Sequence, residues 1–451
     1  MRYLRALATA VVVLSTAVAW TLPERVDRKP DGYRTYLPVL AAGPDGTLHA
    51  VWSESPGTGF LQKIMYATRQ GDTWTIPVNI SRDSGDIRTP AIVLDSTGHA
   101  LVVWSEESYA RMRYVRQLDD SWSVPKLCFS NLGIMPRLVV NGQGRIHLLF
   151  EDLGGQGAIR HSRYDAGGDS WETPDLVADD SGTLAWSDLA VDSRDRLHAV
   201  WMDYGTYGMG YCHNDGAGWT RPEQLPDPAP SGQSVLPRIA VDTADSPHVV
   251  WEERSGGYLV HYTFRDGDTW ATPYRVYDES GSWPVLAIDP AGRVHVVWGW
   301  SYGLKYVAKT ESGWSAPLSV TNAGTAAPGQ LLVRGSMLSL VLFQGQWEIW
   351  YSEHDASGVE GDPGCLPERS RLRVGLRAGE VVASFRLESS CRVTLQVLDS
   401  AGRQVAGLGP VGLDEGPHEV SVPVTGLASG TYLCRAVMGG KVESVKLVVT
   451  R

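Results

Sequence analysis

The tetrad Trp-x-x-Pro occurs seven times in this chain, and its placement leaves few folds open. Six copies, beginning at Trp74, Trp122, Trp171, Trp219, Trp270 and Trp314, each close a unit of roughly 45 to 50 residues. A seventh unit, residues 338–351, has no tetrad after it, whereas an orphan copy, Trp20-Thr-Leu-Pro23, stands before the first unit. A circular array whose last unit is completed by the first strand accounts for both facts.

A second landmark fixes the unit. The heptad Gly46-Thr-Leu-His49-Ala-Val-Trp52 recurs with His147, His198, His248 and His295 at the same place, while two weaker copies carry Leu101 and Leu338 there. Each of six copies follows a short apolar run opened by Pro38, Pro90, Pro136, Ser187, Pro237 or Pro284, and the aromatic that ends the copy stands fourteen residues on. Turns such as Asp95-Ser-Thr-Gly98 separate the two runs, which reads as a rigid hairpin of strands. A third strand is expected to end near Tyr66, Tyr114, His161, Tyr211, Tyr262 and Tyr306, and a fourth to begin at the tetrad tryptophan. Helical periodicity is absent. Four antiparallel strands per unit around a ring predict an all-β fold, a seven-bladed β-propeller closed by its N-terminal strand.

The intervals point to one face. The first hairpin is constant, but the interval from second to third strand runs from 8 to 14 residues, and that between units from 14 to 18. Variable loops on a rigid scaffold are where binding and catalysis concentrate. Two positions past the second-strand aromatic stand Glu54, Glu106, Asp152, Asp203 and Glu253, with Trp300 in the sixth unit. Trp186 and Trp283 open their first strands; Arg88, Arg137 and Arg238 lie close by in sequence, and Tyr109, Tyr204, Tyr207, Tyr258 and Tyr302 fall in the variable loops. Carboxylates and histidines that follow the repeat read as structural. Off-pattern tryptophans are required by no repeat logic, and flat rings stack on sugars and other apolar ligand faces. The candidate ligand-binding set is therefore Trp186, Trp283, Trp300, Tyr204, Tyr207, Glu106, Asp203 and Glu253.

The net charge of −11 argues against nucleic-acid or anionic-membrane partners. At the N-terminus, Arg2 and Arg5, an apolar stretch over residues 6–18 and Ala17-Val18-Ala19 read as a signal peptide (1–19) cleaved after Ala19, so a secreted or cell-surface protein is expected. No other segment is apolar enough to span a membrane. The five cysteines lack metal-ligand spacing, and no metal or cofactor is expected; Cys391 and Cys434 are a candidate disulfide.

The turn before the fourth strand, as in Thr263-Phe-Arg-Asp-Gly267-Asp-Thr-Trp270 and Arg69-Gln-Gly71-Asp-Thr-Trp74, resembles the Asp-box of sialidase-type (BNR) propellers, with Arg69 and Arg265 at the Asp position. That resemblance covers residues 20–356. It implies a carboxylate-binding arginine set, for which Arg88, Arg137 and Arg238 are candidates, and a Tyr-Glu nucleophile pair, for which Tyr258 and Glu253 are candidates. The family's Arg-Ile-Pro motif is missing, and no catalytic role maps residue by residue.

After a linker at 357–368, residues 369–451 read as short alternating strands of an immunoglobulin-like β-sandwich. Leu398-Asp-Ser-Ala-Gly402-Arg403, Leu427-Ala-Ser-Gly430-Thr-Tyr432 and the Lys446-Leu-Val-Val ending resemble the C-terminal sorting domain of type IX secretion cargo. That likeness implies the secretion machinery as a partner; an accessory module is the other reading. The functional expectation is a propeller that binds a glycan through its variable-loop face. A sialidase-like or other glycoside-active enzyme, and a structural surface protein without a small ligand, are the alternatives.

Overall fold

The computed structural model describes residues 20–356 and 373–449, apart from short stretches between strands such as 58–60, 228–232 and 425–429. Residues 1–19, expected to be a signal peptide, and 357–368, expected to be a linker, lie outside the described residues. Two compact units are present: one is Val18–Gly361 and the other takes in Asp362–Arg451.

The larger unit is all-β and propeller-like, built of seven small antiparallel sheets. Their first strands are Tyr33–Ala42, Ile87–Leu94, Ile134–Val140, Leu184–Val191, Ser234–Val241, Ser282–Ile288 and Ala326–Arg334. Each first strand contacts the first strands of its two neighbours, and the last contacts the first, so these strands encircle one axis. Second and third strands follow outward in simple meander order. Tyr66 sits mid-strand in Lys63–Gln70, and its equivalents likewise; the third strands therefore run on past the positions where the sequence suggested they end. The outermost strand is broken in most sheets, for example into Thr73–Trp74 and Val78–Asn79, both paired with the same third strand. Pro77 lies in the gap because it has no N–H to give the ladder. Short, interrupted outer strands also leave little open edge for another chain to pair with.

In sheet 7 the outer strand comes from the far end of the sequence. Glu24 pairs with Tyr351 and Arg25 with Trp350, and the N–H groups of Thr21 and Val26 donate to the Glu353 and Ile349 carbonyls, each at 2.8 Å.

The repeated tryptophan has a packing role that runs round the ring. Each tetrad tryptophan meets the third-strand aromatic of the preceding sheet edge to face: Trp122 on Tyr66, Trp171 on Tyr114, Trp219 on His161, Trp270 on Tyr211 and Trp314 on Tyr262. Trp20 takes the same place on Tyr306, with centroids 5.5 Å apart at 77°, and Trp74 packs on Tyr351. The seven pairs form a closed set only because Trp20 supplies the seventh. Such pairs are worth ~0.5–1.5 kcal/mol each beyond the area they bury.

The second-strand histidines complete these junctions. His49, His198, His248 and His295 each place Nδ1 2.6–2.8 Å from the hydroxyl of Tyr66, Tyr211, Tyr262 or Tyr306, and in three of them Nε2 faces Asp192, Asp242 or Asp289 of the first-hairpin turn. All are buried, and burial holds His49 and His198 down to about 4. These rings are neutral brackets between turn and strand.

In the C-terminal unit, Arg373–Arg377, Glu380–Leu387 and Gly416–Pro423 form one sheet, and Gln404–Leu413, Cys391–Leu398, Gly430–Met438 and Lys441–Val449 another. Val381, Ala383 and Phe385 share one core with Leu395, Val397, Cys434 and Ala436. The Cys391–Cys434 pairing is corrected. Val397 stands opposite Cys434, six residues from Cys391 along the same strand, which is a displacement of roughly 20 Å, and a disulfide needs Cα atoms within about 7 Å. Cys434 is a buried free thiol, as are Cys128 and Cys212.

Candidate functional site

One irregularity recurs at the same end of the first strands. Leu37, Thr89, Met135, Trp186, Leu236 and Trp283 all have left-handed backbone conformations, with φ between 48° and 56°. Each begins a bulge in which two residues oppose one aromatic of the second strand, as the register jump from Ala185 to Asp188 shows in sheet 4. Bulky side chains avoid this region, at a cost of about 1–3 kcal/mol per site, so six copies mark an imposed geometry. The bulge re-aims the side chain at the axial end of the strand. Nothing in composition signals it, although Pro after five of the six residues is a trace.

In sheets 4, 5 and 6 the bulged residues come together. Trp186 and Trp283 lie 6.1 Å apart with rings at 90°, and both pack against a small apolar cluster of Met202, Val235 and Leu236. The Trp186 indole N–H donates to the Tyr204 hydroxyl at 3.2 Å. Tyr204 and Tyr207 are both a little over 40% exposed, so the platform has a polar aromatic rim that water reaches. Thus four of the sequence candidates are gathered on one side of the ring. Leu236 was missed, although it occupies the repeat position of the two tryptophans. The side chain of Trp300 and all of Tyr302 lie outside the described residues.

The carboxylates divide differently. Asp203 accepts from the Gly205 N–H at 2.7 Å and the Thr206 hydroxyl at 2.8 Å, and so ties the loop that carries Tyr204 and Tyr207. Glu106 bridges Arg111 and Arg113 at 2.5 and 2.6 Å. Glu253 is buried, and its oxygens accept from the Gln233 and Ser255 N–H groups and the Ser234 hydroxyl. Tyr258 is half-exposed, with the Arg254 guanidinium 5.8 Å from its ring centre.

Two of the three candidate arginines meet near the axis. Arg137 lies 3.3 Å from Asp188 and donates to the Ser187 carbonyl, and Arg238 lies near both charges, its guanidinium pulled down to about 10 by burial and by Arg137. Arg88 pairs instead with Asp86 in its own sheet. Two further acids, Glu151 and Glu252, stand one position before the recurrent carboxylates and were not singled out from sequence. Burial pushes the Glu151 carboxyl up to about 7.

Elsewhere, Arg69 and Arg265, at the Asp position of the box-like turns, donate to the turn carbonyls of Gly71 and Gly267. Both also pair with Glu24 or Glu223, which accepts the indole N–H of Trp74 or Trp270. These turns are held by an arginine where an acid would hold them in a true Asp-box. A cleft of about 210 Å³ beside sheet 4 is lined by Trp201, Asp203, Thr206, Met209, Glu223 and Gln224.

No protein-family model matches this chain, and no curated protein matches its sequence. Solved structures match it in fold. An ulvan lyase, described as a new family of polysaccharide lyase, aligns over 72% of this chain and 94% of its own at 9% identity, with a TM-score of 0.54. A puromycin hydrolase aligns over 82% of this chain and 61% of its own at 14% identity and TM-score 0.51. A fungal alcohol oxidase in complex with copper aligns over 96% and 100% at 13% identity and TM-score 0.51. At such identities the likeness speaks to the fold alone. Among the described residues, no helix is long and apolar enough to cross a membrane.

Proposed function

We propose that the seven sheets are the blades of one closed propeller and that it binds a carbohydrate on the face carrying the bulged tryptophans. The observation that carries this reading is the meeting of Trp186 and Trp283 over Leu236, with Tyr204 hydrogen-bonded to Trp186 and Tyr207 on the same loop as Tyr204. Two indoles at right angles offer one stacking face and one wall, which suits a pyranose ring with an apolar face and hydroxyl edges. The polysaccharide lyase that shares the fold is in keeping with such a ligand. Within the same reading, residues 1–19 export the chain to the surface or medium, and the C-terminal unit is an immunoglobulin-like module that serves sorting by a type IX system.

Binding is favoured over glycoside chemistry because Glu253, the acid first considered for a nucleophile pair, has its oxygens engaged by three donors of its own chain. The test is a glycan array run on the full chain in parallel with fluorogenic glycosides, sialosides included. Binding that Trp283→Ala reduces at least tenfold, with no turnover, is the expected result. Turnover would move the assignment to a glycoside-active enzyme, and silence on both would leave a structural surface protein.

A further inference from the structure

A bulge strands backbone donors. The left-handed residue loses its place in the ladder, and its N–H needs an acceptor from elsewhere because it is buried among packed sheets. In sheet 3 the Met135 N–H donates to the Ser105 hydroxyl of sheet 2 at 3.0 Å. At the two junctions that carry tryptophans, the acceptor is a carboxylate instead. Glu252 of sheet 5 accepts the Trp283 N–H at 3.1 Å, and Glu151 of sheet 3 accepts the Ser187 N–H at 3.2 Å as well as that of Trp186. Sheet 4 needs two bonds because Ser187 stands where the other five bulges have proline, and so keeps an N–H they lack.

Both acids are buried, at 4% and 0% exposure, which is costly for carboxylates unless something is gained from them. Their remaining contacts are cations. Arg254 donates to the second oxygen of Glu252 at 2.6 Å, and Glu151 feels the positive charge of Arg137, whose own contacts are Asp188 and the Ser187 carbonyl. A hydroxyl satisfies the same position in sheet 3, so the ladder alone does not demand an acid.

We infer that Glu151 and Glu252 are positioning residues for the ligand platform: each holds the strained backbone of a tryptophan in the neighbouring sheet, and so fixes the angle between the two indoles. Neither touches the ligand. The inference rests on the platform being the ligand surface, but the placement of the indoles is measurable without any ligand. Charged acceptors make roughly twice the bond a neutral one does, so each indole is held more firmly than a hydroxyl would hold it. Because burial pushes the Glu151 carboxyl up to about 7, the hold on Trp186 weakens as pH falls through 7.

The experiment uses the full chain labelled with 5-fluorotryptophan, with the two resonances assigned through Trp186→Phe and Trp283→Phe. Glu252→Ala shifts or broadens the Trp283 signal and Glu151→Ala the Trp186 signal, while Glu→Gln at either site, which keeps an acceptor oxygen without the charge, moves it less than Ala does. Titration of the wild type from pH 8 to 6 moves the Trp186 signal, and Glu151→Gln abolishes that movement. A general loss of stability would move every tryptophan signal alike and would not be rescued by Gln. Unchanged Trp186 and Trp283 signals in the Ala variants overturn the inference. If the glycan screen is silent while these signals behave as stated, the ligand assignment fails and the positioning role stands.

Discussion

Trp20→Ala is the sharpest perturbation of the ring, because one side chain from the start of the described chain completes a set of seven pairs. Trp20 is 7% exposed, packs edge-on against Tyr306 and stacks on His354 at 5.2 Å. Its indole N–H has no hydrogen-bond partner among the described residues, so the loss is one of packing. Burial of 150–250 Å² at ~25 cal/mol per Å² gives about 4–6 kcal/mol as an upper figure. Core Trp→Ala substitutions cost about 3–5 kcal/mol, and we adopt that range. For a unit of roughly 340 residues the unfolding entropy is near 0.7 kcal/mol per K, so the melting temperature should fall by about 4–7 °C. Leu22, two residues along the same segment and 92% exposed, is the control; Leu22→Ala should stay within about 0.5 kcal/mol. Differential scanning calorimetry of the intact protein reads both. A Trp20→Ala melt that overlays the wild type would refute the view that this strand locks the ring.

Acid should loosen the junctions. His49, His147 and His198 are held near 4 chiefly by burial, below the unfolded value of 6.5. The unfolded chain therefore binds more protons, and stability that is complete above pH 6.5 drains away as pH falls toward 4. At pH 5 each histidine costs about 2 kcal/mol, and Glu151, raised to about 7, offsets roughly one of them. Melting temperatures equal at pH 7.5 and pH 5 would contradict this. Gly329→Ala tests the contact between the last sheet and the first, since an added Cβ would lie 2.3 Å from the Pro38 carbonyl oxygen; a loss of about 1–3 kcal/mol or more in urea unfolding is expected. Glu253→Ala strands three donors and should cost about 1–3 kcal/mol in the same assay, with Glu253→Gln closer to wild type.

The repeat was legible because packing between sheets reuses one residue at one place: every tetrad tryptophan meets a neighbour's aromatic, so the spacing of Trp74, Trp122 and their kin carries the architecture. The bulges were not legible. A position at positive φ is ordinarily announced by Gly or Asn, and here Leu37, Thr89, Met135 and Trp186 occupy it under constraint from neighbouring sheets. The tryptophans of the platform stood out only as departures from the repeat. Their carboxylate supports, Glu151 and Glu252, hid beside Asp152 and Glu253, whose recurrence drew the eye. In the smaller unit, the strand Gln404–Leu413 carries glycines and a proline that imitate a turn, yet it pairs along Cys391–Leu398.

The seam of sheet 7 also sets a timetable. Glu24 finds Tyr351 327 positions further along the chain, so the segment beginning at Trp20 has nothing to pair with until the third strand of the last sheet exists. At ~5–20 residues per second of synthesis, that wait is on the order of 16–65 seconds. Bringing ends so far apart together costs about 5 kcal/mol of chain entropy if nothing between them is ordered, and far less once six sheets have stacked into an arc. The arc is thus the template for its own closure, and during the interval both its open edge and the waiting strand are available to a chaperone or to another nascent copy.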